Sequence, residues 1–348
     1  MDLVDWELAG RVGRRVAPDG PHVIDEVANA VVADLRRCAA QAVGLVANVS
    51  ELVAPVDDNV AVVDRPGWIE SNLTGLSQVV APLADRFDQL GTGAARTAGA
   101  KLSAAQLGAA LGWMSGKVLG QYEIFVPVGM PPRLLLVAPN IVAAERALEV
   151  PEQDFRLWVC LHEEAHRVQF GANAWLSDHF SAEVDTFLRA ADLDTGQALK
   201  RFGTIFKTLV KILSGDEQAS LVQAVQTPAQ REVFERLTAL MSLLEGHAEW
   251  VMDAVGPQVI PSLATLRERF ERRRSNPSTG DGLLRRLMGM DAKLRQYSGG
   301  RAFVAGVVDE VGVAGFNRIW TSPNTLPTLA EIEDPHAWVA RMADGAAA

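Results

Sequence analysis

The sequence predicts a mainly α-helical (α+β) protein in which one small antiparallel β element stands next to a helix that carries an H-E-x-x-H run. Three observations predict it. Long stretches carry apolar residues at three- and four-residue steps, the period of an amphipathic helix. One stretch only, around residues 122–137, reads as two strands about a glycine- and proline-rich loop. Finally, His162-Glu163-Glu164-Ala165-His166 places two histidines four residues apart in an apolar run, so both lie on one face of one helix.

Residues 6–16 read as a short first helix. A long second helix over 24–53 has Val27, Val31, Leu35, Ala39, Val43 and Val46 in a wide apolar stripe. Asp64-Arg65-Pro66-Gly67 has the composition of a turn, and a helix over 68–90 follows it. Gly91-Thr92-Gly93 then loosens the chain. A buried helix over 102–120 carries Gly108, Gly112 and Gly116 at four-residue steps, a spacing that admits close helix packing. Strands over 122–128 and 133–137 flank Gly129-Met130-Pro131-Pro132, and Pro127 within the first keeps the sheet small. In the histidine helix, Phe155, Leu157, Trp158, Val159 and Leu161 lead in, and Val168 and Phe170 follow before Gly171 offers a stop. Helices over 181–190, 197–213 and 216–225 come next. A further helical pattern runs through Val233, Phe234, Leu237, Leu240, Met241 and Leu244. The proline-rich tail over 317–335 reads as an ordered loop laid over the body.

Composition bounds the function. With 348 residues, the chain has room for one large domain or two moderate ones. We expect an N-terminal helical region, 1–100, packed in one compact unit with a metal-binding region, 101–348. At 48% hydrophobic and 22% charged residues the chain is globular rather than disordered. A net charge of −10 argues against nucleic acid as a partner, since a phosphate-binding face needs a basic excess. The basic clusters Arg267-Glu268-Arg269 and Arg272-Arg273-Arg274 are interleaved with acid and read as a solvated helix face. Cys38 and Cys160 are too few for a disulfide framework and suit a reducing compartment. The acidic start lacks the pattern of a signal peptide, and no segment reads as a membrane span, so the expected location is cytoplasmic with no membrane partner.

H-E-x-x-H is the spacing of a zinc-hydrolase helix. Two imidazoles one turn apart can hold one metal ion, and Glu163 sits beside it, where it can take a proton from a water the metal holds. Glu164 and Arg167, three residues apart, can pair with each other on the outer face of that helix. Catalytic zinc takes three protein ligands and leaves a position for water, so a third ligand is needed. Glu245 and Glu249 are four apart on one helix face, inside an apolar run. Their arrangement suggests that Glu245 binds the metal and that Glu249 hydrogen-bonds the far nitrogen of His162 or His166. His247, two residues from each, is the rival ligand. Tyr297 is a candidate oxyanion donor, against the alternative of a tyrosine packing a helix end, and Arg295 could hold a substrate carboxylate. His179 has no geometric claim, and His22 and His336 read as surface residues.

Glu245-Gly246-His247-Ala248 resembles the glutamate helix of the gluzincin metallopeptidases, in which such a segment supplies the third zinc ligand and an acidic residue four positions later, here Glu249, supports the site. The interval from His166 to Glu245 is longer than in the familiar aminopeptidases, which implies inserted helices. Across nearly its whole length the chain resembles the zincin-like metallopeptidase type 2 family. The segments that carry this are Leu135-Leu136-Val137-Ala138-Pro139-Asn140, 158–170, 245–253, Leu294-Arg295-Gln296-Tyr297 and Trp320-Thr321-Ser322-Pro323-Asn324-Thr325-Leu326-Pro327-Thr328. The resemblance implies a helical zincin-like fold and a Zn²⁺ site formed by His162, His166 and Glu245. It implies a metallopeptidase with Glu163 as general base, acting on a peptide or protein substrate in a cleft beside the zinc helix. In zincins the small sheet packs over that helix and its edge strand holds an extended substrate. The alternative is a non-catalytic binding or accessory protein of the same fold. Some family members carry the name "coenzyme F420 biosynthesis-associated protein", yet no residue reads as a flavin-like binding site.

Overall fold

The computed structural model describes residues 3–55, 59–88, 94–127, 129–190, 228–275 and 299–344. The helices predicted over 197–213 and 216–225, the break at 91–93, and the residues Arg295 and Tyr297 lie outside the described residues.

Helix α1 (Trp6–Val16) begins at Asp5, whose side chain accepts from Leu8 N at 2.9 Å, an N-terminal cap. Helix α2 (Asp25–Ser50) buries Val31, Leu35, Cys38, Ala42 and Val46, the stripe read from the sequence. It stops at Glu51 in the left-handed conformation. Strand β1 (Val60–Val63) was not foreseen: Val60-Ala61-Val62-Val63 is too short to declare a period. Helix α3 (Arg65–Asp88) starts earlier than expected. The supposed turn is its first turn, because Asp64 Oδ1 accepts from Gly67 N at 2.8 Å and Pro66 fits a first helical turn. Helix α4 (Ala94–Ser115) lies along α1, and the small-residue seam is the contact: a Cβ on Gly112 would stand 2.5 Å from Gly13 O.

Strands β2 (Gly120–Tyr122) and β3 (Leu134–Val137) pair antiparallel, Gln121 opposite Leu135. Beyond β2 the chain leaves the sheet after Glu123 N bonds Arg133 O, so the strand expected to reach residue 128 ends sooner. β1 joins the other side of β3 in parallel, Val60 opposite Leu134, which makes a mixed three-stranded sheet in the order β1-β3-β2. All four residues of β3 are buried. Leu135 and Val137 face the α1/α3/α4 core, and Leu136 faces a core built from α2, the histidine helix and its neighbours. That two-sided burial is why β3 reads as an unbroken apolar run.

Helix α5 (Ala138–Leu148) continues directly from β3. Helix α6 (Glu152–Gly171) carries the two histidines and is buried almost all round. Helices α7 (Ala174–Ala190) and α8 (Pro228–Val255) follow among the described residues, then α9 (Leu263–Ser275) and α10 (Gly300–Phe316). The tail is no plain loop. It makes two 3₁₀ turns, at Asn317–Trp320 and Pro323–Thr325, then α11 (Leu329–Glu333) and α12 (Pro335–Asp344), closing a third core with α8 and α10. No helix among the described residues is long and apolar enough to cross a membrane.

Candidate metal centre

Helix α6 owes its position to burial and to two charge clusters that satisfy themselves. Arg156, 4% exposed, makes a two-pronged contact with Glu145 of α5, at 3.0 and 2.7 Å, and also reaches Asp34 and Glu152, both at 2.9 Å. Arg167 donates to both oxygens of Glu164, at 2.7 and 2.6 Å, and to Pro55 O at 3.0 Å. The Glu164–Arg167 pair was expected, but its place was not. Both residues are buried rather than on an outer face, because α2 and the 51–55 segment cover that side. Cys160 is a small core residue, as expected, within 3.8 Å of Leu35 O.

On the next face the charges are not closed. His162 and His166 present their Nε2 atoms to each other at 3.2 Å. From α8, Glu245 sends Oε2 to within 3.5 Å of His162 Nε2 and Oε1 to within 3.6 Å of His166 Nε2. These three residues form the group among the described residues whose donor atoms could hold one metal ion, all within 4.8 Å of one another. Two ligands of a tetrahedral ion bound at about 2.0–2.1 Å stand about 3.3–3.4 Å apart, so the spacing fits a zinc-sized cation. The donor chemistry fits too: two imidazoles and one carboxylate are a common catalytic zinc set. Burial, reinforced by neighbouring His166, pushes the His162 pKa down to about 4, against the pull of Glu245. Its imidazole is therefore neutral near pH 7 and keeps a lone pair to give.

Glu163 is 6% exposed, and burial followed by the charge of Glu245 raises its pKa to about 8. A carboxyl this reluctant to ionise is poised to exchange a proton near neutral pH. Strand β2 runs directly past it. A Cβ placed on Gly120 would stand 2.5 Å from Glu163 Cγ and 2.7 Å from its Oε1, so glycine lets this edge strand lie against the Glu163 carboxyl without displacing it. Gly246 has a comparable reason. A Cβ there would overlap the backbone of Gly300, so α8 meets α10 through two glycines and carries Glu245 with it.

The remaining expectations divide. Glu249 lies half-buried one turn beyond Glu245, but it is not the group on the far nitrogen of His166. That atom, Nδ1, meets Gln169 Oε1 at 3.0 Å, because Gln169 shares the helix and sits one turn on. His247 does not join the three donors. It points into the third core, where its ring stacks on Phe316 and lies edge-on to Trp320, and Gln169 Nε2 is 2.9 Å from its Nδ1. Burial, then the nearby His166, lowers its pKa to about 3. His179 packs beside Trp175 on α7, and His336 is exposed against Glu310. Sequence reasoning missed Gln169 and Gly120. The first was findable, three residues after His166 on one face; the second depends on a contact between distant segments.

A sequence profile described as zincin-like metallopeptidase matches residues 4–339, and the chain belongs to that family. Among solved structures it is similar to a protein of Chloroflexus aurantiacus described as "a putative hydrolase with a novel fold". The two are 30% identical, with a TM-score of 0.68 over 98% of this chain and 99% of the other. No curated protein matches. Family and neighbour together support a hydrolase.

Proposed function

We propose that this protein is a zinc-dependent hydrolase acting on peptides. The observation that supports it best is the convergence of His162 and His166 on Glu245 with Glu163 beside them. His162, His166 and Glu245 would hold the ion. When bound, the ion acts as a Lewis acid and makes water a competent nucleophile near neutral pH. Glu163 accepts the proton of the attacking water and passes it to the leaving amine nitrogen, so the carboxyl ends as it began. The same burial that raises its pKa gives that proton somewhere to reside between the two transfers. Strand β2, an edge strand of the sheet as described and next to Glu163, would offer backbone groups along which an extended peptide can lie. In this reading Glu249 would be a supporting residue for His162.

The test is metal content by elemental mass spectrometry on protein purified without a histidine tag. About one zinc per chain is expected in the wild type, and little in Glu245→Ala. Wild-type protein that takes up no zinc after reconstitution overturns the reading.

A further inference from the structure

Gln169 is fully buried, and its three contacts determine its orientation. Leu244 O is a backbone carbonyl and only accepts, so the atom 2.8 Å from it is the amide nitrogen, Nε2. The remaining atom, Oε1, likewise only accepts, and it faces His166 Nδ1 at 3.0 Å. Nδ1 must therefore carry a proton. A neutral His166 ring then has its lone pair on Nε2, the atom turned toward His162 and Glu245. The second hydrogen of the Gln169 amide goes to His247 Nδ1 at 2.9 Å, which accepts. His247 thereby carries its own proton on Nε2, an atom buried without a partner among the described residues, at the far end of a chain of contacts that begins at His166.

We propose that Gln169 is a positioning residue for the metal centre: it fixes His166 as the Nδ1–H tautomer and couples it to α8 through the carbonyl next to Glu245. This rests on the zinc-hydrolase reading above. A histidine ligand's tautomer is set by the bond its other nitrogen makes. Here one neutral amide does two tasks. Its oxygen selects the tautomer on α6, and its nitrogen holds the helix that supplies the third donor. The ligand pair and the carboxylate are thus kept in register by a group that never touches the ion.

Metal-free protein carrying ¹⁵N-labelled histidine tests this by long-range ¹⁵N–¹H correlation NMR, paired with zinc affinity by chelator competition. The wild type should show His166 as Nδ1–H and His247 as Nε2–H. Gln169→Leu should release His166 toward the Nε2–H form favoured in water and weaken zinc binding about 10–100-fold. Gln169→Glu keeps an acceptor for Nδ1–H, so it should retain the tautomer and lose less affinity. Should Gln169→Leu fail to fold, the wild-type spectrum still decides, together with His247→Phe. That variant keeps a stacked ring, removes only the outer contact and should leave His166 as Nδ1–H. Zinc uptake by a wild type whose His166 is Nε2–H overturns the positioning role alone, as does a Gln169→Leu variant with unchanged tautomer and affinity. Absence of zinc uptake overturns the hydrolase reading and this role with it.

Discussion

Glu163 and Glu164 are neighbours in the chain, both buried, and physically opposite. Glu164 is gripped by both prongs of Arg167, so its charge is cancelled where it lies. Among the described residues, the charge that shifts Glu163 most is another carboxylate, Glu245. One helix therefore carries a closed ion pair on one face and an open excess of acceptors on the next. Closed pairs hold α6 against α5 and α2. On the open face a divalent cation would compensate the carboxylate charge.

The comparison can be broken at either residue. Glu163→Gln should cut peptide hydrolysis by about 10²–10⁴-fold while leaving zinc content and the thermal midpoint near wild type, because the base is lost and no partner is stranded. Glu164→Gln should do the reverse. It takes from buried Arg167 the charged carboxylate that accepts both of its prongs, and urea denaturation should show a loss of about 3–5 kcal/mol. A fully active Glu163→Gln would refute the assignment of the base.

Arg156→Leu sharpens the same point away from the site. It strands Glu145, 2% exposed, and should cost about 3–5 kcal/mol in urea denaturation. The double change with Glu145→Leu should recover most of that, since closed buried pairs are costly to open and cheap to replace. Next in size, Gly120→Ala should push the Glu163 side chain aside. A displacement of about 1 Å costs about 10²-fold in rate, and zinc content measured in the same samples should hold.

The smallest effect concerns Glu331. Burial alone would raise its pKa, but hydrogen bonds from Arg341 and Thr328 and the Arg341 charge lower it below the ordinary 4.5. A carboxylate with a depressed folded pKa adds stability that is fully present above the unfolded value and disappears as pH falls through the folded one. The stability difference between wild type and Glu331→Gln should therefore be largest near neutral pH and shrink steadily below about pH 4.5. A difference that grows on acidification would contradict the assignment.

What was legible in the sequence was what periodicity controls. The first helix, the α2 stripe, the α6 run and the i,i+4 faces of His162/His166 and Glu245/Glu249 are local consequences of 3.6 residues per turn. The Glu164–Arg167 pairing was legible by the same rule, but not its burial, because spacing says who can touch and not what covers them. Val60–Val63 was missed because four residues take their strand character from β3, some seventy residues away. Gln169 was overlooked although its spacing from His166 was as regular as that of Glu164 from Arg167; a glutamine declares no chemistry until its partners are known. Gly120 was beyond reach, since its meaning is the carboxyl of Glu163 pressed against it.

The contact between Gly246 and Gly300 has a consequence in time. A chain emerging from the ribosome completes the histidine pair as soon as α6 is made. The seat of the third donor, however, is a backbone surface synthesised more than fifty residues after Glu245. The nascent protein thus has two of the three candidate donors throughout the making of α7, and Glu245 itself joins the chain midway through α8. The backbone that seats Glu245 comes only when α10 arrives, so the candidate site is completed late in synthesis.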